Sequence, residues 1–187
     1  MRAQLIQMIK QNPKIAAINN NKDLESVIEA NNKVIFVLYG TINTISDIVH
    51  TLKEAGKIVI INVDFIEGLS SREVSVDFIC ETTQADGIIS SKAKLVKAAS
   101  LKNTLALQRV FVTDSKSFRT IPKQLKNSQA DIVDVQPGAA PKVLRWVQES
   151  VDVPIIASGL VCEEEDIQNA LEAGAIGVSS TNRVIWC

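Results

Sequence analysis

Eight short runs of mostly β-branched apolar residues recur along the chain, and each is followed by a segment whose apolar residues have helical spacing. Within the predicted helix Thr44–Ala55, for example, Ile45, Ile48, Val49 and Leu52 lie on one face. The predicted strands are Lys14–Ile18, Lys33–Leu38, Lys57–Val63, Asp86–Ile89, Thr104–Phe111, Asp131–Val135, Pro154–Ala157 and Ala175–Val178. A strand buried on both faces reads as a continuous apolar run, so the pattern predicts an α/β fold with a parallel sheet.

An open doubly wound sheet and a closed barrel both fit this alternation. The count of eight favours a compact TIM-like (β/α) barrel of seven or eight parallel strands, and no glycine-rich nucleotide fingerprint follows any strand. Such barrels typically have about 250 residues. The chain has 187 residues, so we expect a single domain over 1–187 with short loops, in which one strand or helix could be vestigial. Residues 1–12 are expected to form a flexible or helical extension before the first strand.

Composition and cysteine spacing narrow the class of protein further. The chain has 20 Lys and Arg against 21 Asp and Glu, so its net charge of −1 lacks the basic excess that is usual in RNA-binding proteins. No run is long enough to span a bilayer and no signal-peptide pattern is present, which predicts a cytoplasmic protein. Cys80, Cys162 and Cys187 form no C-x-x-C pair, so we expect reduced thiols, no metal site and no cofactor.

In a β/α barrel the loops after all strands meet at one mouth, so polar residues just past the strand ends are spatial neighbours. Asp64 follows the third strand, where it could orient a ligand hydroxyl, bind a cation or cap a turn. Lys92 follows the fourth strand. It could bind the ligand, or it could be a solvated lysine next to residues that cap the following helix. The candidate ligand-binding residues chosen on this basis are Asp64, Ser90, Lys92, Gln108, Arg109, Asp134, Gly138, Ser158, Gly159, Ser179 and Ser180.

Arg109 is the most informative of these candidates. An arginine within an apolar strand is costly to bury unless it is paired, and its planar fork suits a phosphate or carboxylate. A structural ion pair with Asp134, at the end of the adjacent strand, is the alternative and does not exclude a functional role.

Small residues after the seventh and eighth strands predict an anion site. Ser158-Gly159 and Ser179-Ser180 would let backbone amides approach a phosphate, with the dipole of a following helix adding to the attraction. These two loops frequently bind phosphate in this fold. A small-residue turn with hydroxyl caps remains the alternative.

Three other features are expected to be structural. His50 lies within a helix and is predicted to be a surface residue, while Trp146 and Trp186 are expected to pack against apolar surface. The run Glu163–Asp166 is predicted to be a solvated helix start and not a metal site.

Several strand-end segments, taken in order, resemble one family. They are Val63–Gly68, Asp86–Lys92, Leu107–Phe111, Asp114-Ser115, Asp131–Gly138, Pro154–Gly159, Ala173–Ala175 and Ser179-Ser180. From about Ile15 to Trp186 the chain resembles the bacterial glycerol uptake operon antiterminator regulatory proteins, which respond to glycerol 3-phosphate. It departs from their pattern with Ser158 for glycine, Asp134 for glutamate and Asn19 for a basic residue.

The resemblance implies a barrel that binds glycerol 3-phosphate as an effector and acts on the leader mRNA of glycerol-uptake operons to prevent termination. The alternative from the fold is an aldolase or isomerase acting on a small phosphorylated metabolite, for which Asp64 and Lys92 are the only plausible acid/base or Schiff-base groups. No histidine is predicted at the mouth, so we expect a regulator with no catalytic residues. A homo-oligomer controlled by the ligand is a third possibility.

Overall fold

The eight strands are hydrogen-bonded in sequence order, all parallel, and close into a barrel in the computed structural model, which describes residues 2–186. They are β1 (Lys14–Ile18), β2 (Val34–Val37), β3 (Ile58–Asn62), β4 (Gly87–Ser90), β5 (Leu105–Phe111), β6 (Ile132–Gln136), β7 (Ile155–Ser158) and β8 (Gly177–Ser180). Strand β8 pairs with β1 through Ile15 and Ser179, which closes the ring. The predicted TIM barrel is confirmed with eight strands.

The chain has eight α-helices in residues 2–186: α1 precedes the first strand, and α2 to α8 connect consecutive strands on the outside of the barrel. They are α1 (Arg2–Gln11), α2 (Asn21–Glu29), α3 (Ile45–Glu54), α4 (Val74–Thr82), α5 (Ala93–Leu101), α6 (Ser115–Ser128), α7 (Pro141–Ser150) and α8 (Glu164–Glu172). Two one-turn 3-10 helices, Val63–Phe65 and Arg183–Ile185, follow β3 and β8. Every connection between β1 and β8 contains an α-helix, so the expected vestigial element is not found in residues 2–186.

Strands β4 and β6 begin one residue later than predicted, each after an aspartate whose side chain binds the neighbouring strand. The Asp86 carboxylate accepts from the amide of Val59 at 2.8 Å, and the Asp131 carboxylate accepts from the amide of Ala106 at 2.9 Å. Each carboxylate also pairs with a cation, Lys53 and Arg2 respectively. These aspartates tie neighbouring strands together at the amino-terminal end of the barrel.

Two layers of apolar side chains form the core. The barrel interior holds Val34, Phe36, Ile60, Leu107 and Ile156 with their neighbours, and alternate residues of the same strands pack outward against the helices. Helix α1, in the segment expected to be flexible or helical, adds Leu5 and Ile9 to the interior cluster. Met1 of that segment and Cys187 lie outside the described residues.

Candidate functional site

Strand alternation brings four candidate residues to the inside of the barrel mouth. In β5, β6 and β7, Leu107, Ile132 and Ile156 belong to the interior cluster. Arg109, Asp134 and Ser158 lie two residues further along these strands and therefore face the same side. Ser179 pairs with Ser158 in the neighbouring strand β8 and completes the group.

Arg109 and Asp134 form a buried ion pair. The Nε of Arg109 donates to Oδ2 of Asp134 at 2.5 Å, and the two side chains are only 6% and 0% exposed. The hydroxyl of Ser158 donates to the other oxygen, Oδ1. Both oxygens of this fully buried carboxylate are thus satisfied, as such a group requires. The structural ion pair considered as an alternative for Arg109 is present.

The pair leaves the outer part of the Arg109 guanidinium available. Among residues 2–186, Asp134 is the only hydrogen-bond partner of the Arg109 side chain, and it accepts from Nε alone. Arg109 also lines a cavity of about 310 Å³ at the barrel mouth. The Nη groups therefore remain free to bind a carboxylate or phosphate in that cavity.

The mouth cavity is rich in hydrogen-bond donors. Its other lining residues come from the ends of β1, β2, β6, β7 and β8 and the loops that follow: Ala17, Leu38, Gln136, Ser158, Gly159, Leu160, Val161, Cys162, Ser179, Ser180, Thr181 and Asn182. The hydroxyl of Ser179 and the amides of Gly159, Leu160 and Thr181 have no partner within the described chain. No carboxylate is among these lining residues, so the cavity is suited to an anion.

The predicted contribution of a helix dipole is wrong for the loop after β7. At the start of helix α8 the carboxylate of Asp166 accepts hydrogen bonds from the amides of Cys162 at 2.8 Å and Glu163 at 3.0 Å, and Glu164 and Glu165 lie in the same first turn. Acidic side chains thus already occupy the positive end of α8. After β8 the chain forms only one 3-10 turn. An anion in the cavity would rely on Arg109 and individual amides.

Asp64, Ser90 and Lys92 form a separate cluster between β3 and β4. Asp64 accepts hydrogen bonds from the Ser90 hydroxyl at 2.8 Å, from the Ser91 amide at 2.7 Å and from the Ser91 hydroxyl at 2.8 Å. Lys92 Nζ lies 3.3 Å from the same carboxylate. None of the four residues lines the mouth cavity. The turn-capping interpretation of Asp64 describes these contacts.

Hydrogen bonding keeps Asp64 ionised. Burial raises the pKa of its carboxyl, but the hydrogen bonds from Ser91 and Ser90 and the charge of Lys92 outweigh burial, so the pKa lies below its ordinary value. A carboxylate held ionised in this way is a hydrogen-bond acceptor and a poor general acid.

Two further candidates support the strands and do not face the cavity. The amide of Gln108 donates to the carbonyls of Ser91 and Arg109, both at 3.0 Å, and so links β4 to β5. Gly138 packs against β7, where an added Cβ would lie 2.7 Å from the amide nitrogen of Ser158. Ser180, although it lines the cavity, donates its hydroxyl to the carbonyl of Val161.

The choice of candidates missed Gln136, Leu160 and Thr181, all of which line the cavity. Gln136 was detectable, because it lies two residues after the inward-facing Asp134 in β6. Leu160 carried no such signal: its side chain is 75% exposed and its backbone has φ of +57°, which a leucine rarely adopts.

The expectations for the other residues have mixed outcomes. His50 is an exposed residue of α3, and Trp186 is buried with its indole N–H donating to the carbonyl of Ser180 at 2.8 Å, as predicted. The prediction for Trp146 holds only in part, since its ring packs beside Phe118 but the side chain remains 47% exposed on α7. No metal-binding group of His, Cys, Asp and Glu occurs in residues 2–186, and no helix there has the length and apolar character needed to cross a bilayer.

Comparison with known proteins identifies similar chains over nearly the whole length. A family model described as glycerol-3-phosphate responsive antiterminator matches residues 14–186. A protein of Escherichia coli K12 named Uncharacterized protein YgcP is 46% identical over 182 residues, which cover 97% of this chain and 95% of that protein.

Solved structures agree with this comparison. A glycerol uptake operon antiterminator regulatory protein from Listeria monocytogenes superposes with a TM-score of 0.89 at 28% identity, covering 92% of this chain and 94% of that one. A glycerol uptake operon antiterminator-related protein from Thermotoga maritima gives 0.83 at 30%, covering 94% and 98%. A deoxyribose phosphate aldolase from Aeropyrum pernix, at 0.70 and 14% with coverage of 94% and 88%, shares the fold alone.

Proposed function

Because the chain belongs to the family of glycerol-3-phosphate responsive antiterminators, we propose that it is a transcription antiterminator whose effector, glycerol 3-phosphate, binds in the cavity at the barrel mouth. The observation that carries this proposal is that the two sides of the Arg109 guanidinium have different environments. Its Nε is held by Asp134, while its Nη groups border a cavity that has free donors and no lining carboxylate. A volume of about 310 Å³ is at the lower end for ligand pockets and suits a small molecule.

In this proposal the phosphate lies between Arg109 and the loops after β7 and β8. The Nη groups supply charge-assisted hydrogen bonds, and the Ser179 hydroxyl and the amides of Gly159 and Leu160 supply neutral ones. Ser158 fixes the orientation of Asp134 and, through it, of Arg109. We also propose that the glycerol end extends beyond this cavity towards the ends of β3 and β4, where Asp64 would accept from a hydroxyl and Lys92 would offset ligand charge, since neither residue lines the cavity itself.

The regulatory output that we propose is binding to the leader mRNA of glycerol-uptake operons. The effector can promote it only by binding the RNA-competent conformation more tightly than the other. The loop of Gly159 and Leu160 is a suitable moving part, because both residues have positive φ and both line the cavity.

Calorimetry on Arg109→Lys tests the effector site. Lysine keeps the charge but cannot bind Asp134 and offer a planar fork to phosphate at once, so glycerol 3-phosphate should bind at least about tenfold more weakly. Lys94→Gln, on the outer helix α5, should leave the affinity unchanged. Equal affinity of wild type and Arg109→Lys, or no binding by wild type, would contradict the proposed site.

Filter binding of the leader transcript, with and without glycerol 3-phosphate, tests the output. We expect effector-dependent retention, and none at any salt concentration would refute the antiterminator function. Light scattering of the same samples shows whether the effector changes the assembly. The enzyme alternative predicts turnover of phosphorylated metabolites that is lost in Lys92→Ala, and we expect no turnover.

A further inference from the structure

Helices α6 and α7 carry a concentration of positive charge. Together they contain six basic residues and one acidic residue, Glu149. The rest of the chain therefore holds 14 basic and 20 acidic side chains, so the net charge of −1 conceals an uneven distribution. We call the six residues the basic face: Lys116, Arg119, Lys123, Lys126, Lys142 and Arg145.

The four basic residues of α6 form one stripe. Their spacings of three, four and three residues place Lys116, Arg119, Lys123 and Lys126 on the same side of the helix, and all four are exposed. At 1.5 Å per residue the stripe is about 15 Å long, which is about four nucleotides of a stacked strand at ~3.4 Å each. A linear polyanion would match this arrangement better than a single small anion.

These charges are not neutralised within the protein. Seven other lysine and arginine side chains in the described chain have an acidic partner, including Lys53, Lys92 and Lys102, whereas no residue of the basic face takes part in any such ion pair. Asp114, just before α6, caps the amides of Lys116 and Ser117 with its carboxylate and forms no ion pair with the basic face. The pKa of this carboxyl is lowered by the hydrogen bonds from Ser117 and Lys116 and, to a smaller extent, by the charge of Arg119. The basic face is thus an unpaired positive surface that would attract phosphates.

An aromatic pair, in which the tryptophan is exposed and the phenylalanine is partly buried, lies on the same two helices. Trp146 of α7 is 47% exposed, and its ring centroid is 6.3 Å from that of Phe118 in α6. Lys142 Nζ lies 5.2 Å from the centroid of the Trp146 ring. The two rings border a surface cavity of about 460 Å³ that is also lined by Ser150 and by Glu149, the one acidic residue of these helices. Aromatic rings beside basic side chains are the usual means of holding unstacked bases.

The adjoining helices differ in a way that defines the limits of this surface. Helix α5, which packs against α6, adds Lys94 and Lys97 and has no acidic residue. Helix α8, on the other side of α7, has Glu164, Glu165 and Asp166 in its first turn. A polyanion would therefore be attracted along α5, α6 and α7 and repelled at α8.

We propose that the basic face, together with Trp146, is a binding surface for single-stranded RNA. The inference rests on the proposed antiterminator function for the identity of the natural RNA, and on charge and aromatic exposure for its location. Phosphates would contact the α6 stripe, and a base would stack on Trp146.

Fluorescence anisotropy on the full chain tests the surface with two labelled probes, the leader transcript and an oligouridylate of about 20 nucleotides. In the stripe variant Arg119→Gln, Lys123→Gln and Lys126→Gln are combined. Its matched control combines Lys10→Gln, Lys22→Gln and Lys33→Gln, three exposed lysines around β1 and β2. All six positions are on the surface, and thermal unfolding with glycerol 3-phosphate calorimetry verifies that both variants are intact.

We expect the stripe variant to bind both probes at least about tenfold more weakly, with a salt slope lower by about 2, because three phosphate contacts are lost. The control should stay within about twofold of wild type. Trp146→Ala should weaken binding about fivefold or more without changing the slope, and Trp146→Phe should restore part of the loss.

The outcomes separate the two proposals. The proposed surface is wrong if the stripe variant binds the transcript as well as wild type does, or if the control variant loses as much affinity as the stripe variant. The antiterminator function stands in either case, because wild type still binds the transcript. If wild type binds oligouridylate through the stripe but shows no effector-dependent binding of the transcript, the surface stands and the antiterminator function fails. Binding of neither probe refutes both, and a stripe variant that only loses self-association identifies a second copy as the occupant.

Discussion

Arg109 holds the fold with one nitrogen and faces the proposed effector with the other two. Replacing it with methionine would leave Asp134 buried and unpaired, so we expect Arg109→Met to lower the free energy of unfolding by about 3–5 kcal/mol. The double variant Arg109→Met/Asp134→Leu removes both charges and should recover much of the loss. Urea unfolding of wild type, both single variants and the double variant measures the coupling.

A coupling near zero in that cycle would contradict the buried ion pair. The effector measurement then gives an independent result: the double variant should be stable yet bind glycerol 3-phosphate no better than Arg109→Met. Recovery of stability without recovery of binding would separate the two roles of the same side chain.

Asp64 should make stability depend on pH at acid values. Its folded-state pKa is lowered, because the hydrogen bonds from Ser91 and Ser90 and the charge of Lys92 exceed the effect of burial. The carboxylate therefore contributes stability above its unfolded pKa of about 3.9 and loses it as pH falls through the lower folded value. Urea midpoints of wild type and Asp64→Asn should differ most near neutral pH, and the difference should shrink as pH falls through and below the unfolded pKa. A constant difference over that range would contradict this assignment.

Single residues were predictable where strand geometry alone decided their position. The Arg109–Asp134 pair follows from two polar residues at matching positions of adjacent strands, and β5 and β6 do pair them in register. The position of Leu160 at the cavity depends on the conformation of its loop, which no sequence pattern predicts. The exposure of Trp146 was not predicted, because an aromatic residue beside apolar neighbours in the sequence normally packs against other apolar side chains. How much of its ring is exposed depends on how α7 is rotated about its own axis.

Among the elements, α1 contributes to the barrel core although it precedes the first strand. Ile9 is fully buried and lies where an added Cβ on Gly177 of β8 would touch it at 3.1 Å. We expect Ile9→Ala to lower the free energy of unfolding by about 2–5 kcal/mol. Met8→Ala, one residue earlier and 41% exposed, is the matched control and should change it by less than about 0.5 kcal/mol. Equal effects in denaturant unfolding would show that α1 is not part of the core.

The strands were predicted to within two residues at every end, because a doubly buried strand leaves an uninterrupted apolar run. The exact starts of β4 and β6 were not predictable, because the side chains of Asp86 and Asp131 accept hydrogen bonds from backbone amides of the neighbouring strands. Helix α1 was left open between flexible and helical, because Leu5 and Ile9 are a single pair at helical spacing and their packing partners lie on β1 and β8.

At the scale of the whole molecule, effector binding should stabilise the folded state. A ligand that binds only the native barrel adds about 2.7 kcal/mol at a concentration of 100 times its Kd, so Tm should rise with glycerol 3-phosphate. Glycerol alone should give little shift, because it lacks the group that binds Arg109. Thermal unfolding with both compounds measures this, and equal shifts would contradict phosphate recognition.

The closed barrel followed from the count of eight units, but the composition of its mouth did not. Which strand ends share a cavity depends on how side chains fill the barrel, and here Asp64 and Lys92 bond each other while Arg109 opens towards β7 and β8. The charge of the outer surface was likewise hidden in the near balance of the composition, and it became visible once the helices were placed side by side.

The uneven distribution of charge has a practical consequence at the bench. A protein of net charge −1 would ordinarily pass through a cation-exchange column at neutral pH. This one carries α6 and α7, with six basic residues, on one side and the acidic first turn of α8 beside it. A cation exchanger can bind the basic face and an anion exchanger can bind the acidic surface, so both resins should retain the protein. The salt concentration at which it elutes would then depend on how its charges are distributed and not on its net charge.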